Sequence, residues 1–147
     1  MNFPAVMRLG SLEILGALAA FGLVAARLRP GALASRARAL TVSLAVQEPA
    51  APGRASRAVA VTIAAGTPCA LGRTSQADVE LDDPEVSRRH ARLDLVRGVL
   101  YVSDAGSSNG TFLNGKPLGG ESIELRPGDD IDVGNTRITV NGMEAVQ

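Results

Sequence analysis

The sequence predicts an all-β sandwich from Leu40 to the carboxy terminus, preceded by one apolar amino-terminal helix. Three observations carry the β assignment. Short runs of β-prone residues alternate with Gly, Pro, Asn and Asp turn signals. No segment beyond Leu40 keeps a helical apolar spacing over a useful length. Each run hides one apolar face, which a second sheet must cover.

The runs follow in order, about ten or eleven of them. Leu40–Val46 alternates, with Leu40, Val42, Leu44 and Val46 on one face. Residues 47–57 are rich in Pro, Ala and Gly and read as a loop. Val59–Ile63 alternates again, and Gly66-Thr67-Pro68 turns the chain into Cys69–Gly72. Val79 and Leu81 form a short strand in an acidic surround, and the stretch Asp78–Glu85 reads as a solvated loop. Ala91, Leu93 and Leu95 face one way, with His90, Arg92 and Asp94 on the other side. Arg97-Gly98 is a hairpin turn into Val99–Ser103. Thr111–Leu113 runs into Asn114-Gly115, the strongest short hairpin signal. Ile123–Leu125, Ile131–Val133 and Arg137–Val140 complete the set, and the first and last strands can pair in one sheet.

The amino-terminal part differs in kind. Residues 1–57 carry seven arginines against Glu13 and Glu48, a net of +5, whereas the rest of the chain has a net of −5. Ile14–Ala26 holds no charge, and the apolar stretch 9–28 reaches roughly the 20 residues a bilayer demands, although Glu13 interrupts it. Arg27, Arg29, Arg36 and Arg38 follow, which places the downstream chain on the cytoplasmic side. The division expected is an apolar helix and membrane anchor at 1–28, a basic juxtamembrane linker at 29–39 and the β domain at 40–147. A cleaved signal peptide fits less well, because only Arg8 precedes the apolar run. A soluble helix is the other alternative, with the protein then simply cytoplasmic.

Composition narrows the chemistry. Fifteen basic and fifteen acidic residues cancel, which argues against a nucleic-acid partner. A single cysteine, Cys69, excludes an intrachain disulfide, and with His90 as the sole histidine neither a metal site nor a cofactor is expected. With no Trp, one Tyr and three Phe, the core must be aliphatic. Ser87, His90 and Asp94 suggest a hydrolase triad, but the serine lacks a nucleophile elbow, so no catalytic residue is assigned. The acidic stretch does not have the spacing of a calcium loop. Arg89 and Arg92 read as a solvated basic face.

What remains is three loops rich in hydrogen-bond donors: Gly72-Arg73-Thr74-Ser75, Ser87-Arg88-Arg89-His90 and Ser107-Ser108-Asn109-Gly110. A phosphate monoester carries nearly two negative charges and three acceptor oxygens. Holding it takes a guanidinium for charge and fork geometry, with hydroxyl and backbone donors from other directions. The loops supply these groups at spacings of about 14 and 20 residues. The ordered set Leu-Gly-Arg, Val-Ser-Arg-Arg-His-Ala and Ser-Ser-Asn-Gly-Thr-Phe-Leu-Asn-Gly resembles the signature of the forkhead-associated (FHA) domain.

The resemblance implies an eleven-stranded sandwich that binds phosphothreonine peptides through its apical loops. By the same resemblance, Arg73 and Ser87 would hold the phosphate and Arg88 would add charge beside them. Ser108 would give a further hydroxyl, and Asn109 would bond the peptide backbone. Gly72, His90, Gly110, Thr111, Asn114 and Gly115 would support the site. Glu85 stands where some members place a basic peptide-contacting residue. The layout is similar to that of small membrane-anchored bacterial FHA proteins. The partner expected is a phosphothreonine protein, or the Ser/Thr kinase that made it. A phospho-independent interaction module is the competing function. Thr67, Thr74 and Thr136 are loop candidates for phosphorylation of the chain itself.

Overall fold

A computed structural model describes residues 37–49 and 56–146. The expected helix and anchor at 1–28, and most of the linker, lie outside the described residues. Among the described residues, no helix is long and apolar enough to cross a membrane.

Eleven strands form two sheets. In chain order they are β1 (Ala39–Gln47), β2 (Arg57–Ala64), β3 (Cys69–Gly72), β4 (Val79–Glu80), β5 (Ala91–Val96) and β6 (Val99–Asp104). Then come β7 (Thr111–Leu113), β8 (Lys116–Pro117), β9 (Ile123–Glu124), β10 (Asp130–Val133) and β11 (Thr136–Ala145). One sheet runs β2-β1-β11-β10-β7-β8 and the other β4-β3-β5-β6-β9. The end strands do pair, antiparallel, with Leu40 opposite Ala145 and Leu44 opposite Val140. The register slips between Ser43 and Leu44, a β-bulge that lets β11 carry one extra residue.

The inward faces are the apolar ones that alternation selects. Leu40, Val42, Leu44 and Val46 of β1 pack against Leu71, Leu93, Leu95, Val102, Ile131 and Ile138 in one aliphatic core. Tyr101 and Phe112, the aromatic residues of the described part, are only half-buried. Cys69 is buried in that core, and burial, reinforced by nearby Asp78, pushes its thiol up to about 12. It is a packing residue rather than a reactive one.

Connections divide between two ends. Arg97 (φ 52°) with Gly98 (φ 79°) and Asn114 (φ 49°) with Gly115 (φ 81°) make the two-residue hairpins at one end. Their left-handed conformations match the twist of the flanking strands. Both chain ends of the described domain leave there, where the Val146 N–H donates to the Ala39 carbonyl at 3.0 Å. The longer loops after β3, β4 and β6 gather at the opposite end with the β10–β11 turn.

Two expectations about this second end are corrected. Asp83 does not belong to a solvated loop: it is 1% exposed and accepts from Glu85 N–H, Asn135 N–H and the Thr136 hydroxyl at 2.7–2.9 Å. Thr136 is therefore buried and engaged, not an exposed phosphorylation candidate. Both follow from a contact between positions 53 residues apart, which spacing along the chain does not reveal.

Candidate phosphopeptide-binding site

Gly72 closes β3 and sets where its loop can go. A Cβ at this position would lie 2.1 Å from the Arg88 carbonyl oxygen, so only glycine lets the two loops touch. The contact is then laced by hydrogen bonds. Arg73 N–H donates to Ser87 O at 3.1 Å, and His90 N–H donates to Leu71 O at 2.9 Å. The Thr74 hydroxyl reaches Arg88 O at 3.4 Å. These bonds place the Arg73 and Ser87 backbones side by side despite their separation in sequence.

His90 joins the second loop to the third. Sequence alternation puts it on the outer face with Arg92 and Asp94, but it is fully buried. Its Nδ1 accepts from Ser87 N–H at 3.0 Å, and its Nε2 bonds Gly110 O at 2.9 Å. That pairing requires the neutral Nε2–H tautomer, since a backbone N–H can only donate and a carbonyl can only accept. The imidazole is a strut between loops, in keeping with the supporting role the resemblance implies.

Asp104 shapes the third loop from within. Its carboxylate accepts from Gly106 N–H and Ser107 N–H at 2.9 and 3.0 Å, from the Ser107 hydroxyl, and from the Thr111 hydroxyl at 2.7 Å. Burial alone would raise its pKa. The bonds from Ser107, Thr111 and Gly106 outweigh burial and hold it below the usual carboxylate value. Gly110 N–H in turn donates to the Ser107 hydroxyl at 2.9 Å. Sequence reasoning missed Asp104, as it missed Asp83. The available signal was a carboxylate just ahead of a Gly-Ser-Ser-Asn-Gly loop full of donors.

With the loops fixed, the expected ligand residues come together. Ser108 N–H donates to Ser87 Oγ at 3.0 Å, which leaves the Ser87 hydroxyl proton to point elsewhere. Arg73 and Arg88 are exposed and make no ion pair among the described residues. Arg73 also lines a cleft of about 490 Å³ with Glu48, Arg57, Glu80 and Asp82. Asn109 is at the same rim, but its amide donates to Glu85 O at 2.9 Å and to the Glu85 carboxylate at 3.1 Å. Its side-chain carbonyl is what it can present to a peptide N–H. Asn114 and Gly115 are not at this rim. They sit at the far end of β7, where Asn114 accepts from Asp130 N–H and donates to Asp129. Any support they give the loops is indirect, through β7 and β10.

The comparisons with known proteins agree with this architecture. The family model described as FHA domain matches residues 69–134. The chain is 44% identical over 62 residues to the glycogen accumulation regulator GarA of Mycolicibacterium smegmatis, covering 42% of this chain and 38% of that one. It is 43% identical over 63 residues to the oxoglutarate dehydrogenase inhibitor of Corynebacterium efficiens, covering 43% of each. It thus spans less than half the length of the curated relatives it matches. Among solved structures, one described as a study of phosphothreonine-dependent FHA domain interactions is similar at 30% identity and TM-score 0.53, over 68% of this chain and 96% of that one. The FhaA FHA domain, solved with the intracellular domain of Rv3910, is similar at 30% identity and TM-score 0.54, over 67% and 98%. By sequence, by the layout of its sandwich and by the gathering of its loops, this chain belongs to the FHA-domain family.

Proposed function

We propose that the chain is a non-catalytic phosphothreonine-peptide-binding module that docks a partner phosphorylated by a Ser/Thr kinase, or the kinase itself. The observation that carries this reading is the meeting of Ser87 Oγ with Ser108 N–H, beside an Arg73 backbone bonded to Ser87 O. On this reading the Ser87 and Ser108 hydroxyls, the exposed Arg73 and Arg88 guanidiniums and the loop N–H groups would converge on one bound phosphate. Such a set suits a dianion with three acceptor oxygens. The solved relative named for phosphothreonine-dependent interactions supports the ligand class. The names of the relatives, a regulator and an inhibitor, support a regulatory role.

The same geometry argues against hydrolysis. A serine nucleophile needs an imidazole nitrogen within reach of its hydroxyl. Here Nδ1 is held by the Ser87 backbone N–H and Nε2 by Gly110 O, so neither is available to Oγ.

Residues 9–28 would anchor the module with its domain on the cytoplasmic side. Chain ends that leave opposite the loops suit such a tether, because the site would face away from the bilayer. Carbonate extraction tests it: a chain found in the soluble fraction has no integral anchor.

One observation favours the phospho-independent reading instead, namely the Glu85 carboxylate pairing with Asn109 at the rim. Calorimetric titration of matched phosphorylated and unphosphorylated threonine peptide libraries separates the two. Binding confined to the phosphorylated set, and weakening below the second phosphate pKa of about 6, is the expected result. Equal binding to both sets would favour the rival.

A further inference from the structure

We propose that Arg89 and Arg92 frame a second anion subsite, which takes another phosphorylated or acidic residue of the same peptide. The inference rests on the phosphothreonine reading and extends it to the class of ligand. In the sequence these two arginines read as a solvated face. The structure instead puts a cleft of about 410 Å³ between them, lined by Ala70, Arg89, Ala91, Arg92 and Ala105. Every lining residue other than the arginines is alanine, so nothing longer than a methyl group fills the space.

The cleft is built from the strut that organises the main site. Because His90 is buried between loops, Arg88 and Arg89 ahead of it are both exposed. Ala91 then opens β5, and Ala105 N–H donates to His90 O at 2.8 Å, which brings the third loop against the same spot. Arg92 is oriented beforehand. Its Nε lies 2.9 Å from Asp94 Oδ2 and 3.2 Å from Ser103 Oγ, while its two terminal nitrogens have no partner among the described residues. Arg89 makes no ion pair among the described residues. Asp94 offsets part of the charge, and Asp78 is engaged with Ala70 N–H at 2.7 Å. Two forks over a shallow floor suit an anionic group, for which arginine offers paired donors.

Spacing limits the ligand. Ser87 precedes Arg89 by two residues and Arg92 by five. Five residues of chain span at most roughly 18 Å, so the two anions would stand within that distance, which two to four residues of an extended peptide also fall inside. The ligand class is thus a phosphothreonine peptide with a second phosphate, or an Asp or Glu, at that distance.

The test uses the full chain and fluorescence anisotropy. The probes are peptides with one fixed phosphothreonine in degenerate flanks, and phosphoserine, Asp or Ala at two, three or four residues to either side. A second phosphate should tighten binding about tenfold at one spacing, and Asp by less. Arg89→Ala, and separately Ala105→Glu, should abolish that gain while the singly phosphorylated peptide keeps its affinity within about twofold. Arg97→Ala, at the opposite end, should change neither. No gain at any spacing overturns the subsite, as does a gain that survives in the Arg89→Ala/Arg92→Ala variant. If no phosphothreonine peptide binds wild type at all, the underlying reading falls first, and that result is distinct from equal binding of the singly and doubly modified peptides.

Discussion

At one end of this sandwich the chain reverses in two residues, at Arg97-Gly98 and Asn114-Gly115, and each turn takes positive φ angles at both positions. At the other end the reversals after β3, β4 and β6 are several residues long, and polar side chains shape them: the buried Asp83 and His90 and the half-buried Asp104. The short turns follow from local chemistry and would form in any hairpin. The long loops have no such local minimum. Each is fixed by a side chain that satisfies backbone donors or acceptors of its own or a neighbouring loop. That end can thus present a wide surface whose loops are held in place by the hydrogen bonds of a few supporting side chains.

The first way to break this contrast is at Gly72. Gly72→Ala puts a methyl into the Arg88 carbonyl, and the loops must separate. We expect a loss of about 3 kcal/mol, the upper range for overpacking, in chemical denaturation, with phosphopeptide binding lost as well. A wild-type stability would show that the contact between these loops is dispensable. Next come Arg73→Ala and Ser87→Ala, which remove the groups proposed to hold the phosphate. Each should cost roughly 1.5–3 kcal/mol of phosphopeptide affinity, while stability stays within about 0.5 kcal/mol for Arg73→Ala and falls by no more than about 1.5 kcal/mol for Ser87→Ala, which also loses the bond from Ser108 N–H. Titration calorimetry paired with thermal melts separates the two effects.

A smaller effect is expected from pH. The Asp104 carboxylate has a lower pKa folded than unfolded, so the unfolded chain takes up its proton first. Its contribution to stability is complete above the unfolded value of about 3.9 and fades as pH falls through the folded value. In melts across that range, the gap between wild type and Asp104→Asn should be widest above about pH 5 and close on acidification. A constant gap would place the stabilisation elsewhere. The smallest change is expected for Glu85→Gln, which keeps an acceptor for Asn109 and removes one negative charge at the rim. Phosphopeptide affinity should rise by less than about 1 kcal/mol, the scale of an exposed charge pair. A fall in affinity would mean that the carboxylate itself helps to position Asn109.

The two ends were also unequally legible in the sequence. Alternation found β1, β2, β5 and β6 with their buried faces, and the Asn-Gly and Arg-Gly pairs located both short hairpins. It overlooked β8, since Lys116-Pro117 is two residues long and has no pattern to read. At the other end, motif residues could be named, with His90 as a support by resemblance, but the carboxylate supports Asp83 and Asp104 could not. Asp83 looked like one acid among several, because its partners Asn135 and Thr136 come from a distant turn. His90 followed the alternation of β5 on paper. In the fold it lies at the strand's mouth, where two loops close over it.

The central claim is that three separated loops form one anion site at a single end of the molecule. Amide chemical-shift mapping during titration with a phosphothreonine peptide tests it most directly. Shifts concentrated at residues 73–74, 87–90 and 107–110, with Arg97-Gly98 and Asn114-Gly115 unmoved, are the predicted result. Shifts centred on the short turns, or the same pattern with the unphosphorylated peptide, would contradict it.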